Sequence, residues 1–147
     1  MSGLPERLQD ASQSGAYRAS REDELLAAAK DASIDLARVS LAEVRDKATL
    51  LARIAAALNF PAWFGGNWDA LEDCLTDLSW REARAHLLLF EGYEPLRAAP
   101  GDDFGVLLDI LGSSAEFWTE RGMPFFAVFV DPGRQLALPE LFAGNRP

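Results

Sequence analysis

The residues best placed to do chemistry are four carboxylates, Asp69, Glu72, Asp73 and Asp77, in a stretch between Arg53 and Arg81 that contains no basic residue. Read as a helix at about 100° per residue, the segment from Trp68 to about Leu78 divides into two sides. Trp68, Leu71, Cys74, Leu75 and Leu78 fall on one, and Asp69, Glu72, Asp73, Thr76 and Asp77 on the other. The first side can enter a core, and the second presents a carboxylate row. Charged stripes are ordinarily solvated faces, but such faces intersperse Lys or Arg at i+4 to relieve repulsion. Within this helix Asp69/Asp73 and Asp73/Asp77 are unrelieved, at a cost of roughly 0.2–0.5 kcal/mol per pair. A row kept in spite of that cost suits the recognition of a cationic group.

The loop in front of the row strengthens this reading. Phe60-Pro61-Ala62-Trp63-Phe64-Gly65-Gly66-Asn67-Trp68 places four aromatics in nine residues around a glycine turn. So short a loop cannot bury them all. Flat anchors beside steering charges have the composition of a protein-binding hot spot. Asn67 suits a helix N-cap, and Gly65 or Gly66 can supply a positive φ. Other chemistries lack residues. One His and one Cys cannot complete a Cys/His zinc site, and any His-dependent nucleophilic mechanism must run through His86. That residue heads the apolar run His86-Leu-Leu-Leu-Phe and reads as a strand-end residue. Cys74 lies on the apolar side of its helix and reads as a buried, inert thiol. A Mg²⁺-dependent hydrolase would use Asp69 and Asp73, since hard cations accept carboxylate oxygens, but one convex helix makes a poor cage. No enzyme activity, cofactor or metal is expected.

The elements that must hold these residues follow from the rest of the chain. It has 147 residues, 49% of them hydrophobic and 10% aromatic, enough apolar surface to form a core. The formal net charge of -9 opposes direct binding of nucleic acid, which requires Lys and Arg to neutralise phosphates. No apolar run approaches the ~20 residues of a membrane span. The start lacks a signal-peptide pattern, and a lone cysteine needs no oxidising compartment, so a cytoplasmic protein is expected. Residues 1–14 read as a loose polar tail and Gly15–Ala19 as a short strand. Ser20-Arg21-Glu22-Asp23 resembles a capping box opening a helix to about Asp31, with Leu25, Leu26 and Ala29 inward. A strand is expected over Ile34–Leu41. Asp46 then caps a helix with Leu50, Leu51, Ile54, Ala57 and Leu58 on its inner face. After the Asn59–Asn67 loop and the acidic helix come a strand at His86–Glu91 and a helix marked by Phe104, Leu107, Leu108, Leu111, Ala115 and Trp118. Gly122 ends that helix. The segment Pro124–Val130, apolar throughout, reads as a strand covered on both faces, and Asp131-Pro132-Gly133 turns into a C-terminal tail. Strands alternating with helices predict a small α/β domain, its mainly parallel sheet of three to four strands packed with helices.

The run Leu58-x-Phe60-Pro61-x-Trp63-Phe64-Gly65-x-Asn67-Trp68-Asp69-Ala70-Leu71-x-Asp73-Cys74-Leu75-Thr76 closely resembles the signature of the barstar family of bacterial intracellular ribonuclease inhibitors. The resemblance implies a single barstar-like domain with a core at about 34–131, an N-terminal extension over 1–33 and a tail over 132–147. It also implies an element of loop plus helix that plugs a ribonuclease active site. At matching positions Trp63 replaces the family's loop tyrosine, Asp69 and Asp73 match the two aspartates that meet the cationic site, and Thr76 matches a neighbouring contact. Phe64, Gly65, Gly66, Asn67, Glu72 and Asp77 complete the expected partner-binding set. Glu72 stands where the family has Trp, Asp77 where it has Gly, Leu78 where it has Trp and Gly66 where it has Glu. A contact glutamate of the later helix falls at Glu116 by residue type, or at Phe117 by a count back from Gly122. The implied partner is a basic ribonuclease or nuclease toxin, bound by a monomer. The alternative is a barstar-like interaction module that binds another basic protein without inhibiting it.

Overall fold

A strand apolar at every position must be covered on both faces, and the structure, a computed structural model describing residues 3–141, provides that cover. Four parallel strands, β1 (Gly15–Ala19), β2 (Asp35–Ser40), β3 (His86–Glu91) and β4 (Phe125–Val130), form one sheet in the order β1-β4-β3-β2. The two central strands are the all-apolar ones. Alternation along them sorts side chains between two cores. Leu88, Phe90, Phe125, Ala127 and Phe129 face α3 (Lys47–Leu58), α4 (Trp68–Leu75), α5 (Glu94–Ala98) and α6 (Asp103–Glu120). Leu87, Leu89, Phe126 and Val128 face α1 (Leu4–Arg7) and α2 (Glu22–Asp31). The expected α/β class and parallel sheet are thus present, with four strands.

Several local expectations are corrected. Residues 3–14 are not a loose tail. Leu4 and Leu8, one helical turn apart, are buried in the second core, and a short 3₁₀ turn at Ala11–Gln13 leads into β1. Two leucines in a polar stretch are too few to give a readable period. The Ser20 capping box does not form: α2 starts at Glu22 behind an extended Arg21, without a side-chain cap. Asp23 turns instead to the amide of Glu24 at 3.0 Å. The short helix α5 was not anticipated; Pro95 in its first turn fits it, but five residues carry no periodic signal. The segment after β4 is pinned down. Buried Asp131 accepts hydrogen bonds from the Tyr93 hydroxyl at 2.7 Å and the Leu136 amide at 2.8 Å. Farther on, Leu141 N donates to Arg18 O at 3.0 Å, so this stretch covers the free edge of β1. Beyond Leu141 the tail lies outside the described residues. Among the described residues no helix is long and apolar enough to cross a membrane.

Because α1 and α2 cover one whole face of the sheet, their inner residues should matter as core residues do. Leu25 is fully buried and Leu26 only half so. Leu25→Ala is expected to lower unfolding free energy by about 2–5 kcal/mol in urea titrations, and Leu26→Ala by clearly less.

Candidate partner-binding site

The site is built by the connection from α3 back to β3. Asn59, in the left-handed conformation at φ 53, ends α3 and turns the chain, with Phe60 N donating to Ala55 O at 2.9 Å. Pro61 opens a tight turn closed by Phe64 N on its carbonyl at 3.0 Å. Gly66 takes φ +71, a conformation that L side chains adopt only with strain. Asn67 then caps α4 as expected, its side-chain oxygen accepting from Ala70 N at 2.7 Å.

The loop aromatics separate into support and presentation. Phe60 meets Phe64 edge-on, with centroids 4.9 Å apart, and Phe60, Phe64 and Trp68 pack partly against the main core. Trp63 stays outside at 58% exposure, the one exposed large hydrophobic side chain among the described residues. Behind it stands Trp80, edge-on to Trp63 at 6.4 Å and to Phe60 at 6.0 Å. Its indole N–H donates to Leu58 O at 2.9 Å. Trp80 is the residue that sequence reading missed. It sits in the irregular run Ser79-Trp80-Arg81, where no periodicity points at the loop, and only its residue type could have drawn notice.

Helix α4 is shorter than its pattern suggested. It ends at Leu75, and Leu78, buried at φ 53, completes the apolar side from the following turn. Asp77 therefore lies beyond the helix. Its carboxylate accepts from Ser79 N at 3.3 Å, the local side-chain bond by which Asp competes with helix continuation. Asp69 and Asp73 are exposed on the outer face, while Leu71, Cys74 and Leu75 are buried beneath. Glu72 leans towards α6, where its carboxylate accepts from Ser113 Oγ at 3.2 Å. The Thr76 hydroxyl donates back to Glu72 O at 2.8 Å. Among the described residues none of these four carboxylates forms an ion pair. On α6, Glu116 is exposed, one turn from Ser113. Phe117 lies under the Arg121 guanidinium, 3.6 Å from its ring centroid. Burial and then the charges of Asp73 and Asp77 push the Cys74 thiol up, in keeping with an inert thiol.

The connection is anchored at its far end by Arg81, which donates twice to Asp35 at 2.8 Å. Asp35 also lies 2.9 Å from the ring of buried His86, the first residue of β3. Burial pushes the Asp35 carboxyl up, but the Arg81 and His86 hydrogen bonds outweigh it and hold the group below the ordinary carboxylate range. For His86, burial outweighs the opposing pull of Asp35 and lowers the ring's pKa. Among the described residues no group of three or more His, Cys, Asp or Glu side chains is placed to hold a metal ion.

A family model described as "Barstar (barnase inhibitor)" matches residues 34–130, from the start of β2 to the end of β4 and including the whole candidate site. No curated protein matches the chain.

Two outcomes follow from this geometry. Asn67→Ala should lower stability by about 1 kcal/mol in chemical unfolding, the usual worth of an N-cap. A carboxyl held below its ordinary value stabilises the fold above about pH 4 and loses that effect as pH falls through its folded value. The stability difference between the unaltered chain and Asp35→Ala should therefore be full at neutral pH and shrink in unfolding curves recorded below about pH 4.

Proposed function

The chain belongs to the barstar family, and on that premise we propose that it is an intracellular, stoichiometric inhibitor of a basic ribonuclease, an immunity protein rather than an enzyme. The observation that carries this reading is the pair of exposed carboxylates Asp69 and Asp73, free of ion pairs among the described residues, on a capped helix beside exposed Trp63. A ribonuclease active site is a cleft of cationic side chains shaped for phosphate. Carboxylates fixed on a helix can make the charge-assisted hydrogen bonds the substrate's phosphates would make. They also steer a basic partner from a distance.

Rigidity matters as much as charge. Asn67 fixes the start of α4, its apolar side is buried in the core, and Trp80 backs Trp63, so little conformational freedom is lost on binding. The partner-binding set is then Trp63, Phe64, Gly65, Gly66 and Asn67 from the loop, and Asp69, Glu72, Asp73, Thr76 and Asp77 from α4 and the turn after it. Within this set Asp69, Asp73 and Trp63 make the central contacts. Phe64 and Asn67 hold the loop and helix in place. Glu72 and Asp77, each engaged by a neighbour, shape the rim.

The test is a titration of RNA cleavage by a secreted or contact-delivered basic ribonuclease encoded beside this chain. Inhibition should saturate at one inhibitor per nuclease. Asp73→Ala and then Asp69→Ala should each weaken the complex by about 3–5 kcal/mol, as loss of a central charged anchor does, and Trp63→Ala by about 2 kcal/mol. The association rate should fall steeply with added salt. Full inhibition by both aspartate variants would sink this assignment. Recovery of a basic protein without nuclease activity in its place would favour the non-inhibitory module.

A further inference from the structure

Beside the candidate surface, the segment Asp77–Arg84, the start of β3 and the residues just ahead of β4 border a cleft of about 520 Å³, whose lining includes Asp77, Glu82, Arg84, His86, Trp118 and Met123. His86 is the unusual member. Its side chain is only 3% exposed, and its Nδ1 is 2.9 Å from Asp35 Oδ2. Asp35 is kept ionised by the double hydrogen bond from Arg81, so its oxygens can only accept and Nδ1 must carry the proton. In the neutral ring Nε2 then holds a lone pair. No hydrogen bond to Nε2 is made among the described residues, and the only side-chain N or O atom among them both sealed from solvent and unpartnered is Ser114 Oγ. Nε2 is therefore not fully sealed, and His86 is among the residues lining the cleft, which gives the cleft an acceptor oriented by a carboxylate.

The surrounding charges select the kind of donor. Asp77 and Glu82 are exposed and form no ion pair among the described residues. Arg81 is matched by Asp35, which leaves Arg84 as the cation opposing two carboxylates. Leu78, Trp118 and Met123 supply apolar lining for an alkyl stem. Asp77 borders both the cleft and the acidic surface, and the Trp118 indole N–H donates to Leu75 O at the end of α4 at 2.8 Å. The cleft is thus continuous with the partner-binding element. We propose that it is a second subsite of that interface and receives a lysine or arginine side chain, whose N–H donates to His86 Nε2 while its charge faces Asp77 and Glu82. The basic partner proposed above is the owner of that side chain, so the inference rests on that reading.

The site has a pH sign. A second proton on His86 turns Nε2 into a donor and sets a positive ring against the incoming cation. The charged groups around the ring are Asp35 on β2 and Asp77, Arg81, Glu82 and Arg84 on the connecting segment; Trp118 of α6 and Met123 are uncharged. Burial outweighs Asp35 and keeps the ring neutral at neutral pH, so occupancy is highest there and declines in acid.

The single histidine makes the test direct. The full chain, labelled with ¹⁵N at histidine, is titrated with n-butylguanidinium, with n-butylammonium and with inorganic phosphate while the Nε2 resonance is followed. Either cation should give a saturable shift with half-saturation on the order of millimolar, as for a weak single-side-chain contact. Glu82→Gln combined with Asp77→Asn should weaken it about threefold or more, and acidification through the histidine's own titration should abolish it. The absence of a saturable shift with both cations, a shift indifferent to the two carboxylate variants, or a response to phosphate alone would overturn the proposal. Ribonuclease inhibition is measured separately and does not require His86. A chain that inhibits yet shows no cation-dependent shift would fail here alone, and one that binds the cations yet inhibits nothing would fail the inhibitor reading instead.

Discussion

The constraint on which the rest of this structure depends is that β3 and β4 are apolar on both faces. Leu87 and Leu89 look one way from β3, Leu88 and Phe90 the other, and β4 repeats the division with Phe126 and Val128 against Ala127 and Phe129. Each buried Leu or Phe contributes about 1.5–3 kcal/mol only if water is excluded. Two layers of cover are therefore obligatory. The helices α3, α4, α5 and α6 supply one, and α1 and α2 the other. The family match begins at residue 34, so the second layer comes almost wholly from residues ahead of it, which also place β1 against β4.

The same burial holds the candidate site still. Helix α4 is only eight residues long, too short to be stable by itself in water. The repulsion between Asp69 and Asp73 opposes it further, and the row has no internal cation to compensate. The helix persists because Leu71, Cys74 and Leu75 are fully buried and because Asn67 satisfies an amide at its start. Burial worth several kcal/mol outweighs repulsion worth a few tenths per pair. The fold can thus present uncompensated negative charge to a partner at small cost in stability, and that charge becomes favourable once a cationic surface meets it.

How much of this was legible in the sequence depended on whether one residue's signal was local. The strands at 86–91 and 125–130 were legible from apolar runs, α3 from its period and the Asp46 cap, and the loop and α4 from the cap and glycine positions. Misreadings arose where competing local bonds decide between neighbouring outcomes. Ser20 and Asp23 had the spacing of a capping box, yet Asp23 bonds the adjacent amide. Asp77 continued the helical stripe, yet its bond to Ser79 takes it out of the helix. Contacts distant in sequence left no trace at all. Nothing in Trp80 foretells that it backs Trp63, and nothing in Asp35 foretells that Arg81 and His86 meet on it.

The position of the site in the fold also bears on what it can do. Open parallel sheets commonly bind small ligands in the crevice at the carboxyl ends of their strands. Here the loop, α4 and the cleft lie on the return path from α3 to the start of β3, at the amino ends. Helix α4 presents Asp69 and Asp73 outward, and Trp63 is exposed beside it. The partly buried Asp35–Arg81–His86 cluster belongs to this end as well. By tying the segment after α4 to β2 and β3, it fixes where Asp77 and Trp80 stand, so a polar cluster at the rim of the core sets the boundary of the candidate surface.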